Sequence, residues 1–223
     1  MTSGYFLAIE GIEGSGKTTQ VARLEQLIRA TGRNTTVTKE PGGTPLGNRI
    51  RAILLDPHEE GMDPYAELFL YAASRRQHVV ELIRPSLERG AVVVCDRFTD
   101  ATLAYQGFGR MIDLDRLRQI NEWATDGIRP DLTVILDIAE SVGLDRARAR
   151  NVEKNLQGEG RLEGEDVRFH RRVREGYLAL AEAEPERYAV VDANGSTDEV
   201  FERLVATLRG RAGALRLPDS ESA

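Results

Sequence analysis

Apolar positions along the chain fall into two rhythms. Short runs at residues 5–9, 35–38, 91–95, 132–136 and 188–191 alternate with longer stretches in which apolar residues recur every three or four positions. The runs 5–9, 91–95 and 132–136 are almost continuously hydrophobic, the pattern of strands buried on both faces of a parallel sheet. Residues 35–38 are mostly polar and predict a peripheral strand. The stretches between runs are long enough for crossover helices. The pattern therefore predicts a doubly wound α/β fold, a three-layer α/β/α sandwich around a five-stranded parallel sheet.

Local punctuation sharpens this picture. Thr44-Pro45 and Asp63-Pro64 each pair a capping side chain with proline at the first helical position. Ser196-Thr-Asp-Glu199 reads as a capping box, opening a helix with Val200, Leu204 and Leu208 on one face. Gly32 and Gly90 mark helix stops. Pro85 falls inside a helical pattern over residues 64–89 and predicts a kink or a break. Residues 151–164 are polar, contain three glycines and lack periodicity, so they predict a mobile loop between two helices. One domain is expected over residues 1–212, with a lid at about 145–165 and a disordered tail over 213–223.

Composition excludes several classes. Asp and Glu number 36 against 30 Lys and Arg, a net charge of −6. That argues against a general nucleic-acid or anionic-membrane binder. A single cysteine rules out an internal disulfide framework. No run of eighteen apolar residues is present, and the first residues lack the basic start of a signal peptide, so a cytoplasmic protein is expected. His58, His78 and His170 show no metal-ligand spacing. Cys95 reads as core, and Trp123 and Phe201 read as packing residues on amphipathic helices.

The clearest chemistry lies just after the first apolar run. Gly11-Ile12-Glu13-Gly14-Ser15-Gly16-Lys17-Thr18 fits G-x-x-x-x-G-K-[ST] between a predicted strand and a predicted helix over residues 18–30. Backbone N–H groups of such a loop, with Thr19 continuing it, cradle phosphates at a helix N-terminus. Lys17 would reach the β- and γ-phosphates, and the Thr18 hydroxyl would ligate Mg²⁺. The motif implies nucleoside triphosphate binding without choosing between kinase, GTPase and ATPase. A second strand ends in Cys95-Asp96-Arg97. Asp96 there would orient Mg²⁺, and Arg97 could hold an acceptor phosphate bidentately.

Together with Glu40-Pro-Gly-Gly-Thr44, Arg51, Ala104-Tyr-Gln-Gly107, Arg129-Pro-Asp-Leu132 and residues 146–150, these segments resemble the thymidylate kinases among the nucleoside monophosphate kinases. The resemblance implies ATP with Mg²⁺ as donor and thymidine monophosphate as acceptor. It implies that Glu13 contacts the acceptor's 3′-hydroxyl and that Arg51 and Arg97 hold its phosphate. Tyr71 would stack on thymine, Arg75 would donate to its O4, and Thr102 would bond the base edge. Tyr105 would exclude a ribose hydroxyl, with Pro41 and Gln106 in the same wall. Arg146 would stack on adenine, and the turn Ala193-Asn194-Gly195 would contact its edge.

The phosphate loop carries no arginine, so the chain resembles the branch with arginines in the lid. Arg150 and Arg161 are accordingly expected to stabilise the transition state. From residue 145 to 176, nine basic residues stand against seven acids, too even a balance for a nucleic-acid footprint. The family also implies a homodimer through helices near residues 64–89 and 113–126. Two other readings stay open at this level: a kinase of another monophosphate, and a P-loop nucleotide switch.

Overall fold

The computed structural model describes residues 3–59, 61–154, 161–162, 164–215 and 217. Five strands, β1 (Tyr5–Glu10), β2 (Thr35–Lys39), β3 (Val92–Asp96), β4 (Leu132–Asp137) and β5 (Tyr188–Asp192), form one sheet in the order β2-β3-β1-β4-β5. Every pairing is parallel. The polar run forms the edge strand β2, as its composition requires. The order leads outward from β1 in both directions, so a crevice opens at the carboxyl ends of β1 and β3, where ligands bind in such sheets.

The period of two divides β1 between the two faces of the sheet. Leu7 and Ile9 join Val92 and Val94 in one core with Val21, Leu24 and Ile28 of α1 (Lys17–Ala30) and Leu204 and Leu208 of α9 (Thr197–Arg211). Phe6 and Ala8 join Val93 and Cys95 on the other face, packed under Val79 and Ile83. The remaining helices are α2 (Pro45–Leu55), α3 (Pro64–His78), α4 (Arg84–Glu88), α5 (Thr99–Thr102), α6 (Leu114–Thr125), α7 (Glu140–Lys154) and α8 (Val167–Ala183). The caps work as the sequence predicts: Thr44 accepts from Gly47 N–H, Asp63 from Tyr65 and Ala66, and Ser196 with Glu199 closes a capping box.

Near Pro85 the α-helical path is interrupted, as expected of a proline there: a wide π turn at Val79–Ile83 separates α3 from α4. Three expectations change. Residues 151–154, expected in a loop, complete α7, and residues 155–160 and 163 lie outside the described residues. Beyond residue 212 the fold continues. Gly213–Leu215 make a 3₁₀ turn with Leu215 buried, and Arg33 donates to the carbonyls of Ala214 (2.6 Å) and Ser3 (2.8 Å). Trp123 is no packing residue. It is 76% exposed, because Leu117, Asn121 and Ala124 form the inner face of α6.

Candidate active site

A cavity of about 540 Å³ occupies the crevice. Seven of its lining residues are Lys or Arg (Lys17, Lys39, Arg51, Arg75, Arg97, Arg146, Arg150), against three acids (Glu13, Glu40, Asp96). A locally basic cavity in a chain of net charge −6 is built for anionic ligands.

One end is the loop between β1 and α1. Gly14 and Gly16 hold φ of 70° and 89°, which side chains other than glycine disfavour. A Cβ on Gly14 would also collide with the carbonyl of Gly143 at the start of α7. Lys17 curls back over the loop, donating to the carbonyls of Gly11 (3.0 Å) and Ile12 (2.8 Å) and to Ser15 Oγ (3.4 Å). Burial, with Arg97 nearby, pushes its ammonium down to about 8. The Thr18 hydroxyl donates to Asp96 Oδ2 at 2.9 Å, so the two groups assigned to Mg²⁺ meet across α1 and β3. One hydroxyl and one carboxylate facing a phosphate cradle are the hard oxygen donors that Mg²⁺ takes, with phosphates completing its shell.

Arg97 stands at the centre. It leaves β3 with φ of 69°, a left-handed conformation unusual for a side chain of this size. Its guanidinium donates to Tyr177 Oη (3.1 Å), Glu13 Oε1 (3.0 Å) and Tyr105 Oη (2.9 Å). Tyr105 in turn donates to the Glu13 carboxylate at 2.7 Å. Burial pushes the Glu13 carboxyl up, but Arg97, His170, Lys17 and Tyr105 outweigh it and hold it well below the usual range. His170 is fully buried with Nδ1 3.6 Å from Glu13 Oε2.

The other end is the pocket of α3 and the irregular turn Leu103–Gly109, a π-type segment that aims Tyr105 and Gln106 inward. Tyr71 and Arg75 share its wall, with Thr102 and Pro41. Arg75 is 1% exposed. Its Nε donates to Glu40 (2.8 Å), one terminal nitrogen to Thr102 Oγ1 (3.0 Å) and Asn121 Oδ1 (2.7 Å), and the other to Phe98 O (3.1 Å). Four of its five N–H groups are thereby committed, leaving one for a ligand. Thr102 accepts from Arg75, so its own proton remains to donate. Arg51 lines the cavity and donates to Pro41 O at 3.1 Å.

Most residues expected in the site line this one cavity. Gly11, Ile12 and Ser15 support the loop from beneath, accepting from Lys17. Arg146 lines the cavity and donates to the carbonyls of Ala193 (3.3 Å) and Gly195 (3.4 Å). Arg146 and the turn assigned to adenine are thus neighbours, although Ala193 and Asn194 do not line the cavity. Arg150 lines it too, bonded to Asn151 Oδ1 at 3.2 Å. Arg161 does not. It is buried against Glu67 (2.6 Å) and donates to Leu54 O (2.7 Å), so its expected place near the transferred phosphate is not where it sits.

Three buried groups escaped the sequence reading. Glu10 accepts from the backbone N–H groups of Phe98 (2.7 Å) and Ala101 (3.2 Å) and from Tyr177 Oη (2.7 Å), fixing the loop that carries Arg97. Its burial lifts the carboxyl to about 7 despite the opposing pull of Arg97. Glu40 bridges Arg75 and His78 Nδ1 (2.9 Å), and His78 Nε2 meets Thr38 Oγ1 at 2.7 Å. His78 therefore helps to fix Arg75. A strand-end acid and a helix-borne histidine give no local signal of these long-range contacts.

Comparison with known proteins agrees with this geometry. The family model described as thymidylate kinase matches residues 9–204. The thymidylate kinase of Syntrophotalea carbinolica is 51% identical over 214 residues, 96% of this chain and 98% of its own. That of Deinococcus radiodurans is 51% identical over 211 residues, 95% and 99% of the two chains. The crystal structure of thymidylate kinase from Ehrlichia chaffeensis superposes with a TM-score of 0.73 at 34% identity, covering 92% of this chain and 99% of that one. With the phosphate loop, Asp96-Arg97 and the acceptor wall brought into one crevice, the chain belongs to the thymidylate kinase family.

Proposed function

We propose that the protein transfers the γ-phosphoryl group of ATP to thymidine monophosphate by direct in-line displacement. The observation that carries this reading is one basic cavity that has the phosphate loop and the tyrosine–arginine–threonine pocket together in its lining. The acceptor phosphate is largely ionised at neutral pH, so no strong base is required. The work is positioning and charge neutralisation. Lys17 reaches the β- and γ-oxygens. Thr18 and Asp96 would hold Mg²⁺, which when bound neutralises charge across those phosphates. Arg97 and Arg51 hold the acceptor phosphate, and Glu13 takes its 3′-hydroxyl. Tyr71 stacks on the base, the remaining N–H of Arg75 meets a carbonyl on it, and Tyr105 excludes a ribose. Arg146 stacks on adenine beside the turn at Ala193 and Asn194, and Arg150 neutralises charge in the transition state.

The test is ADP release from MgATP with thymidine, deoxyuridine, deoxycytidine, uridine, adenosine and guanosine monophosphates in parallel. A strong preference for the thymidine form is expected. Release indifferent to the acceptor would refute the kinase reading, and preference for a cytidine form would refute the assignment of Arg75 and Thr102.

The same reading makes the enzyme a cytoplasmic homodimer. Support for the dimer is the exposure of three aromatic side chains, Tyr65 and Phe69 of α3 and Trp123 of α6, on the helices the family resemblance assigns to the contact. Trp123→Glu should halve the sedimenting mass and leave the folded monomer intact, because Trp123 packs on little of its own chain. An unchanged mass would place any contact elsewhere.

A further inference from the structure

We propose that Arg161 is a positioning residue of the acceptor pocket, acting through Glu67 on Gln106, and takes no part in neutralising the transferred phosphoryl group. The inference rests on the reading of thymidine monophosphate as acceptor.

Glu67 is 1% exposed, on α3 one turn before Tyr71. A carboxylate so placed must be compensated. Its Oε1 accepts from Gln106 Nε2 at 2.7 Å. Its Oε2 meets a terminal nitrogen of Arg161 at 2.6 Å and of Arg110 at 3.2 Å. Arg110 also pairs with Glu165 at 2.6 Å, so two carboxylates balance two guanidiniums. Burial pushes the Glu67 carboxyl up, and Gln106, Arg110 and Arg161 together bring it below the usual range. Arg161 is itself 8% exposed, and its Nε is spent on the carbonyl of Leu54 at the end of α2. Both sides of its guanidinium thus hold the acceptor half of the molecule.

The consequence reaches the ligand through Gln106. An ionised carboxylate only accepts hydrogen bonds, so the amide must turn its NH₂ toward Glu67. Gln106 lines the cavity, and its carbonyl oxygen is what remains to face a ligand. A pyrimidine with a protonated N3 can donate to that oxygen, whereas a cytosine presents a lone pair there. Arg161, by fixing Glu67, fixes which way this amide faces. The next residue, Leu162, also lines the cavity, so the same anchor sets an apolar part of the wall.

The experiment measures thymidine monophosphate binding by calorimetry without ATP, and steady-state kinetics with the thymidine and deoxycytidine forms, for wild type, Arg161→Met, Arg161→Lys and Glu67→Gln. For Arg161→Met, the dissociation constant and KM for thymidine monophosphate should rise about ten-fold, the scale of one charge-assisted hydrogen bond. Its kcat and its KM for ATP should stay within about three-fold, because no group on the reacting phosphates is lost. Its preference over deoxycytidine monophosphate should narrow. Arg161→Lys, which keeps the charge, should recover part of the loss and serves if the methionine variant does not fold. The Arg161→Met effect should largely vanish in a Glu67→Gln background. A large fall in kcat with unchanged acceptor binding would overturn the proposal and restore the transition-state role. Additive effects of the two substitutions would also overturn it. A wild type that ignores thymidine monophosphate would instead sink the functional reading beneath it.

Discussion

Replacing Arg150 by methionine should lower kcat by about 10³- to 10⁵-fold, the range found for arginines that meet a phosphoryl transition state. That corresponds to roughly 4–7 kcal/mol of barrier. The structure narrows the choice among the three arginines expected on the donor side. Arg161 is tied to Glu67 and Leu54 O. Arg146 is held to the carbonyls of Ala193 and Gly195. Arg150 lines the same cavity as Lys17 and Thr18, with its guanidinium bonded to Asn151 Oδ1 of its own helix at 3.2 Å. The phosphate loop offers Glu13, Gly14 and Ser15 and no cation besides Lys17, so charge spreading over the transferred group needs a guanidinium from elsewhere. KM for both nucleotides should change little, since the interaction is made in the transition state. Arg150→Lys should recover only part of the rate, because an ammonium lacks the planar fork. Steady-state kinetics decides it: a loss below about ten-fold for Arg150→Met would move the role to another group.

Much of the frame follows from short-range signals. Strand positions come within a residue of the apolar runs, because a strand buried on both faces is hydrophobic throughout. Thr44, Asp63 and the Ser196–Glu199 box cap helices as their side-chain chemistry demands. The phosphate loop is readable because glycine, lysine and hydroxyl stand at fixed offsets in one segment. What stays hidden depends on contacts between distant segments. Glu10 looks like the end of a strand, yet it holds Tyr177 from 167 residues away. Glu40, His78 and Arg75 form one network only when β2 and α3 meet. Arg161 sits in a polar stretch whose composition resembles a loop, and only Glu67 on α3 reveals it as buried. Trp123 illustrates the opposite error: an aromatic on an amphipathic helix need not lie on the buried stripe. The π turns at Val79–Ile83 and Leu103–Gly109 arise from packing and carry no repeat that a 3.6-residue period could show.

Lys17→Met should abolish most of the activity and at the same time stabilise the ligand-free protein. Loss of one preorganised cation at the phosphates should lower kcat by at least about 10²–10³-fold. The opposite effect on stability follows from where the ammonium sits. It is 8% exposed, with the Arg97 guanidinium acting against it; the carboxylates of Asp96, Glu13 and Glu10 offset this only in part, and the carbonyls of Gly11 and Ile12 with Ser15 Oγ only partly replace its water. Folding therefore lowers its pKa from 10.5 to about 8. Between those two values the unfolded chain binds more protons than the folded one, so wild-type stability rises with pH across that window. Below pH 8 the buried charge costs stability in full. Methionine removes the charge and keeps the length of the chain. The Lys17→Met protein should thus melt higher than wild type at pH 7, and the difference should shrink as pH climbs toward 10. Calorimetric melting at pH 7 and pH 9.5 tests both statements. A variant that melts lower at pH 7 would mean that the ammonium holds the empty loop together, as its three acceptors could otherwise suggest. A higher melting point with lost activity would show that the phosphate cradle keeps a charge the fold alone does not favour, held ready for the anion that compensates it.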